Sequence, residues 1–142
     1  MPVATGLLRL STQGDAEVVN LTDGLASFLR SVDADDGALT VFVTGSTAAV
    51  TTMEFEPGGV EDLREALTRL LPAARPEGGD YAHNRLNHDD NAHAHLRASL
   101  VGPSLTVPLV RGRLALGTWQ QVVLIDFDDR PREREVHLQL VH

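Results

Sequence analysis

The alternation of apolar and polar residues predicts strands at both ends of the chain and helices between them. Two β-prone runs, residues 7–12 and 16–22, come first and are separated only by the turn-forming sequence Gln-Gly-Asp at residues 13–15. Alternating runs joined by so short a polar connection are typical of a β-hairpin. We therefore expect the fold to open with two strands that pair with each other.

Three segments have apolar residues at helical spacing. Thr22 or Asp23 can cap the first, the second covers residues 60–72, and the third covers residues 91–100 and stops at a Gly-Pro pair. The apolar residues recur three to four positions apart, as expected for one buried helix face. They are Leu25, Phe28, Leu29 and Val32 in the first segment, and Val60, Leu63, Leu67 and Leu70 in the second.

The remaining apolar runs have β character, and they cover residues 38–43, 48–56, 104–110, 113–127 and 134–142. Strands with intercalated helices, without strict β–α–β alternation, indicate an α+β fold. We expect a single compact domain over residues 1–142, with a mainly antiparallel sheet or sandwich and about three helices.

Composition and charge narrow the range of partners. The chain has 142 residues, a net charge of -8 and no cysteine. The negative field repels nucleic acid and anionic lipid, although local arginines can still bind a small anionic metabolite. Without thiolates, metal ligands must come from His, Asp, Glu or Asn. The sequence has neither a membrane-length apolar run nor a signal-like start, so we expect a cytoplasmic protein without nucleic-acid or membrane partners.

A polar segment before the third helix contains most of the histidines. Residues 73–90 have the composition of a long loop, and residues 83–102 hold four of the six histidines. If residues 91–100 are helical from their start, Asn91 and His95 share a face and His93 points elsewhere. If residues 92–95 are extended, His93 and His95 project together instead. The spacing favours the helix.

The same segment offers the ligands of a metal site. Neutral imidazoles with a carboxylate from Asp89 or Asp90 suit a divalent cation of the zinc or manganese type. The alternative is that the two aspartates cap the helix and the histidines face solvent. Both interpretations are compatible with the local sequence.

Other polar residues are weaker candidates for a site. Thr44, Ser46 and Thr47 lie at a strand break where their hydroxyls can hold an anion, although a plain turn has the same pattern. Glu54 faces either solvent or a pocket. Arg130 and Arg132 flank a proline and either clamp an anion or face water.

The region around the single tryptophan has similar alternatives. Trp119 fits a core or subunit-interface anchor better than a stacking platform. Gln120 is on the opposite strand face, where it is either exposed or binds a ligand.

Taken in order, three motifs resemble the YjbQ family, also called secondary thiamine-phosphate synthase enzymes. They are Asn-x-x-x-His-Leu at residues 91–96, Gly-Pro-Ser at 102–104 and Leu-Gly-Thr-Trp-Gln at 116–120. The resemblance implies a compact α+β fold, a homotrimer and a secondary activity that joins a hydroxymethylpyrimidine diphosphate to a thiazole phosphate. Many family members have Pro-His-Thr-Thr-Ala-Ala where this chain has residues 44–49, and Gly45 replaces the histidine.

The resemblance also implies roles for individual residues. A divalent metal (Zn, Mn or Mg) held by His83 and His95, with Asp90 or water, would neutralise leaving-group charge, and Glu54 would stabilise positive charge or accept a proton. Catalytic roles therefore fall on Glu54, His83 and His95. The substrate-binding residues are expected to be Ser46, Thr47, Asn91, Arg97, Thr118, Gln120 and Arg132. The alternative is a non-catalytic trimer that binds a metal or an anionic metabolite.

Overall fold

Two antiparallel sheets and four helices make up the fold in residues 1–75 and 78–142, which the computed structural model describes. The strands are β1 (Val3–Thr12), β2 (Glu17–Asn20), β3 (Gly37–Val43), β4 (Ala48–Glu54), β5 (Ser104–Val110), β6 (Arg113–Leu114), β7 (Gln120–Asp126) and β8 (Arg132–Val141). The helices are α1 (Thr22–Arg30), α2 (Pro57–Leu70), α3 (Ala82–Asn87) and α4 (Ala92–Val101). The larger sheet has the order β1-β8-β3-β5-β6 and the smaller one the order β2-β7-β4. The predicted α+β, mainly antiparallel fold is confirmed.

The predicted opening hairpin is wrong, although both of its strands exist. β1 pairs with β8 along its whole length, whereas β2 pairs with β7 in the other sheet. Gly14, Asp15 and Ala16 between them all have positive φ, and the Asp15 N–H donates to the Asp128 carbonyl at 2.8 Å. The short connection therefore carries the chain from one sheet to the other. Alternation identifies a strand but does not determine its partner.

The main core lies between the two sheets. The inward faces of β3 and β8 meet the inner face of the smaller sheet and the buried Leu25 of α1. The strand residues of this layer include Leu39, Val41, Val43, Val50, Val122, Leu124, Val136, Leu138 and Leu140. A second apolar cluster packs the other face of the smaller sheet against α2 and α4. β7 is consequently buried on both faces, which explains its nearly continuous apolar run.

Helix termini differ in part from the expected caps. Neither Thr22 nor Asp23 caps α1: Leu21 holds that position, and the Thr22 hydroxyl instead accepts a hydrogen bond from the Val122 N–H at 3.0 Å. Glu56 caps α2 by accepting from backbone N–H groups of its first turn. None of the helices in the described residues has the length and apolar content needed to cross a lipid bilayer.

The long loop predicted for residues 73–90 contains a short helix, α3. The helix forms because Asn84, which is buried, links it to α4: its side-chain oxygen accepts from the Ala92 N–H at 3.0 Å. Its amide nitrogen donates to Asp80 at 2.9 Å. Residues 76 and 77 of the predicted loop lie outside the described residues. The hydrogen bond between Asn84 and Ala92 joins two separate segments, so the local sequence pattern does not predict α3.

Candidate functional site

A polar cleft of about 500 Å³ opens where β4 begins, β7 ends and β8 begins. Its walls are residues 44–47, the start of α4 with Asp89, Asn91 and His95, and most of the turn at 128–134. Several sequence candidates meet here, namely Ser46, Thr47, Asn91, His95 and Arg132. These residues lie together because the start of β4, the end of β7 and the start of β8 are next to the amino end of α4.

Buried ionic bonds hold the floor of the cleft in place. Arg134 donates to Asp126 through two nitrogens, Nε at 2.7 Å and Nη2 at 2.8 Å, and both side chains are buried. The Thr12 hydroxyl also donates to Asp126. Burial by itself would raise the pKa of Asp126, but the hydrogen bonds from Arg134 and Thr12 outweigh it and lower the pKa. Asp126 therefore stays ionised and fixes the guanidinium.

Asp128 connects the three walls of the cleft. It accepts hydrogen bonds from the Thr47 hydroxyl at 3.0 Å, from Arg132 Nε at 2.8 Å and from Asn91 Nδ2 at 3.4 Å. Burial opposes its ionisation, but the donors, with the Asp129 N–H foremost, hold its pKa well below the usual range. The carboxylate thus orients Thr47, Asn91 and Arg132 toward one another before any ligand arrives.

Arg134 is a site residue that the sequence analysis missed. Its Nη2 also donates to the Thr47 hydroxyl at 2.7 Å, and a Cβ placed on Gly45 would lie only 2.8 Å from its Nη1. Gly45 has φ +111°, a conformation that disfavours other residues. The guanidinium therefore lies against Gly45, the position at which the resemblance led us to expect a histidine in many members. The alternation along β8 does carry a signal, because Arg134 shares the inward face with Val136 and Leu138.

The two predicted histidines contact each other, and His95 also lines the cleft. His83 on α3 and His95 on α4 have ring centroids 4.7 Å apart with planes tilted by 43°. Asn91, four residues before His95, is buried, and its Oδ1 has no hydrogen-bond donor among the described residues. His93 lines a different pocket on another face of α4. The helical alternative for residues 91–100 is therefore the one that the structure contains.

The histidine pair does not form a complete metal site within one chain. In residues 1–75 and 78–142, no three His, Asp or Glu side chains are grouped so as to hold a metal ion. Asp90 instead lies beside Asp129, and this neighbouring carboxyl group, together with burial and Asp128, raises the pKa of Asp129 to about 6. The pair therefore places two imidazole rings together, and Asp90 lies beside another carboxyl group.

Other predicted site residues lie apart from the polar cleft. Glu54, Thr118 and Gln120 line a separate pocket around the exposed Trp119. Since Glu54 follows Ala48 by six residues along β4, this pocket is about 20 Å from the cleft. Trp119 is therefore not a core anchor.

Arg97 is also separated from the cleft. It lines the pocket that contains His93, where two of its nitrogens donate to the Leu71 carbonyl. A role for Arg97 at the same ligand as His95 is not supported by this placement.

Proteins of similar sequence occur in several prokaryotes. A UPF0047 protein of Archaeoglobus fulgidus is 40% identical over 91% of this chain and 94% of its own length. A UPF0047 protein of Mycobacterium tuberculosis is 42% identical over 87% of this chain and 88% of its own length.

Solved structures agree over nearly the whole fold. A hypothetical protein of Aeropyrum pernix superposes with a TM-score of 0.87 and 37% identity, covering 97% of this chain and 98% of that one. A protein of unknown function from Sulfolobus solfataricus has a TM-score of 0.85 and 28% identity, with 98% of each chain covered. The family model described as UPF0047 protein YjbQ-like matches residues 7–142, and this chain belongs to that family.

Proposed function

We propose that the polar cleft binds a phosphorylated metabolite and catalyses a thiamine-phosphate synthase-type transfer. The reaction would join a hydroxymethylpyrimidine diphosphate to a thiazole phosphate. The observation that supports it is Arg134, a buried guanidinium held by Asp126 and Thr47 beside the hydroxyl-rich loop 44–47. Fixed guanidinium and hydroxyl donors are the groups that recognise phosphate oxygens.

The arginines retain donors for such a ligand. Arg134 uses Nε and Nη2 for its internal partners, which leaves Nη1 against Gly45. Arg132 uses Nε for Asp128, and its side chain is 39% exposed. A guanidinium has five N–H donors, so each arginine can bind an anion without breaking its internal bonds. The cleft therefore has donors that are positioned before the ligand binds.

The chemistry of the transfer requires stabilisation of a leaving diphosphate. The bond between the pyrimidine methylene carbon and the diphosphate oxygen breaks, the thiazole nitrogen forms a bond to that carbon, and pyrophosphate leaves. Negative charge accumulates on the departing oxygen, where Arg132, Arg134 and the Ser46 hydroxyl would donate. His95, through the cation considered below, would neutralise the same group, and Asn91 would contact the pyrimidine from the wall of the cleft.

The experiment measures thiamine phosphate and pyrophosphate formed by the purified protein from the two substrates. Arg132→Ala should lower kcat/KM roughly tenfold or more, because a hydrogen bond between charged groups is lost. Arg9→Ala is the matched control: Arg9 also contacts a carboxylate, that of Glu135, but lies on β1 with its side chain 75% exposed. Equal activity of the parent and the Arg132 variant would contradict the proposed role of the cleft.

One observation favours the alternative of a non-catalytic protein that binds a metabolite of lower charge than a diphosphate. The cleft also contains Asp89, Asp128 and Glu133, whose negative charge opposes a diphosphate. Calorimetry with inorganic phosphate separates the two functions. Binding that is lost in Arg132→Ala, without product formation by the parent, would select the binding protein, and absence of both would refute the phosphate assignment.

A divalent cation is the second part of the proposal. His83 and His95 would each offer a neutral nitrogen, and water or ligand oxygens would have to complete the coordination shell. Zinc and manganese titrations of the parent, His83→Ala and His95→Ala should show weaker binding in both variants. Binding to the parent should also weaken as the pH is lowered, because a protonated imidazole is not a metal ligand. His137→Ala, on the exposed face of β8, is the control. Unchanged stoichiometry and affinity in both variants would show that these histidines do not bind the cation.

We also propose a homotrimer, with Trp119 at a subunit contact. Trp119 is 73% exposed, an unusual environment for the largest apolar side chain of the molecule. Subunit contact at this face would bring Glu54, Thr118 and Gln120 next to a neighbouring protomer. Light scattering should give three times the mass of one 15.3 kDa chain. A particle of monomer mass at low micromolar concentration would refute the trimer.

A further inference from the structure

A second pocket, here called the arginine pocket, lies between α2 and α4. It has a volume of about 330 Å³, and its polar walls are Asp15, Arg64, Thr68, His93 and Arg97. It shares no residue with the polar cleft. The two cavities use different faces of α4, since His93 and Arg97 are one turn apart on one face and Asn91 and His95 are on another. The arginine pocket is thus a separate cavity with its own charged groups.

Arg97 is a buried cation without a counter-ion among the described residues. It is 6% exposed, and its Nε and Nη2 donate to the neutral Leu71 carbonyl at 3.0 and 2.9 Å. No Asp or Glu of residues 1–75 and 78–142 lies within 4.0 Å of it. Burial lowers the pKa of Arg97, which reflects the cost of charge at this position. Buried charges in proteins are normally paired with an opposite charge.

His93 is a second buried polar group with unmet hydrogen bonding. It is 6% exposed, and its Nδ1 has no partner among the described residues. Burial, followed by repulsion from Arg97, lowers the pKa of His93. An anion between His93 and Arg97 would offset the Arg97 charge and give the imidazole an acceptor when it donates. Both buried groups therefore favour the same kind of ligand.

The other walls restrict the charge and size of that ligand. Arg64 donates through Nε to the Ala16 carbonyl at 2.8 Å, which brings its exposed guanidinium to the rim of the pocket. Arg64 and Arg97 contribute two positive charges, and Asp15 contributes one negative charge. The local excess is a single positive charge, which matches a monoanion better than a phosphate dianion. A carboxylate also presents two oxygens in the plane that guanidinium groups recognise.

We propose that the arginine pocket binds a small carboxylate, held by Arg97 from within and by Arg64 at the rim. This site is independent of the polar cleft and of the phosphate chemistry proposed there. Binding should place a carboxylate close to the His93 ring, which lines the same pocket, and so change the environment of its nitrogens. The His95 ring, in the other cavity, should not respond.

The test is a titration of protein labelled with ¹⁵N-histidine, in which sodium propionate replaces sodium chloride at constant ionic strength. His93→Gln assigns the His93 ring signals. The expected result is a saturable shift of the His93 signals in the millimolar range with no shift of the His95 signals. Arg64→Ala should weaken propionate binding at least fivefold, while Arg64→Lys should restore part of the affinity. Arg69→Ala is the matched control, because Arg69 is also exposed on α2 but pairs with Glu65.

Three results would overturn the proposal. A linear, non-saturating response to propionate would show that no site exists. An affinity unchanged by Arg64→Ala would exclude the arginine pocket as its location. Sodium phosphate binding more tightly than propionate would contradict the assignment to a carboxylate. Far-UV circular dichroism of each variant establishes that the comparison is between folded proteins, and Arg64 is suitable because its side chain is exposed.

Discussion

Replacement of Arg134 by methionine should destabilise the protein strongly, because it leaves a buried carboxylate without its counter-ion. Asp126 is completely buried, and the Arg134 side chain that neutralises it is 7% exposed. Two short hydrogen bonds, 2.7 and 2.8 Å, join them. Removing one member of such a buried pair costs about 3–5 kcal/mol of unfolding free energy. Arg134→Met should therefore lose this amount at neutral pH.

The loss should depend on pH in a defined direction. In the parent, hydrogen bonds from Arg134 and Thr12 outweigh burial and lower the folded-state pKa of Asp126 below its unfolded value. This stabilisation is present above pH about 4 and is lost as the pH falls through the folded pKa. In Arg134→Met, burial dominates and raises the folded pKa above the unfolded one, so protonation relieves the buried charge. The difference between parent and variant should shrink from pH 7.5 to pH 4.5.

Urea denaturation at both pH values and a fixed protein concentration measures this difference. Far-UV circular dichroism is the appropriate signal, because it follows the helices and strands directly and does not depend on the surroundings of Trp119. Asp126→Asn combined with Arg134→Met should be more stable than Arg134→Met alone, since the buried carboxylate that Arg134 neutralises is removed as well. Arg9→Met, which removes an exposed contact of 3.9 Å with Glu135, should cost less than about 1 kcal/mol. A loss below about 1 kcal/mol in Arg134→Met, or one independent of pH, would refute the reasoning.

Three further substitutions test the surroundings of the cleft. Gly45→His should lower the unfolding free energy by about 1–3 kcal/mol in urea denaturation, because φ +111° disfavours a side chain and the new Cβ would meet the Arg134 guanidinium. Gly79→Ala is the control and should have a smaller effect, because Gly79 has φ +77° but no atom within 4 Å of the added Cβ. Asp129→Asn should stabilise the protein by about 1 kcal/mol at pH 8 and not at pH 4.5. Because the folded-state pKa of Asp129 is raised, the carboxyl group favours the folded parent at low pH. The parent loses this stabilisation as the pH rises through about 6, and the variant with its uncharged amide side chain does not. Thermal unfolding at the two pH values measures it, and equal effects at both would contradict the carboxyl contact with Asp90. Asn84→Ala should cost about 1–2 kcal/mol by freeing the start of α4, and an unchanged unfolding midpoint would show that the link is dispensable.

Local sequence determined which segments form regular structure, and the physical reason is periodicity. β3, β5 and β8 lie where alternation predicted them, and α2 and α4 lie where apolar residues recur at helical spacing. Spacing on α4 also separated His93 from Asn91 and His95, because residues four apart share a helix face. Such features depend on neighbours in the chain, so they can be read from a single sequence.

The pairing of the strands and the packing of α3 against α4 depended on residues far apart in the chain. β1 pairs with β8 in the larger sheet, whereas β2 pairs with β7 in the smaller one. Each strand thus takes a partner from the far end of the chain and not its neighbour in sequence. α3 forms in a segment of loop composition because Asn84 bonds to the backbone of α4.

The candidate site shows the same division between local pattern and tertiary structure. The sequence motifs placed Glu54 and His95 in one predicted catalytic site. In the structure they line different pockets, about 20 Å apart along β4. Arg134 became a site residue only when Asp126 and Thr47, at the ends of two other strands, enclosed it. Its charge at an inward-facing position was visible in the sequence. Only the folded structure supplied the partners that keep that charge buried and directed at the cleft.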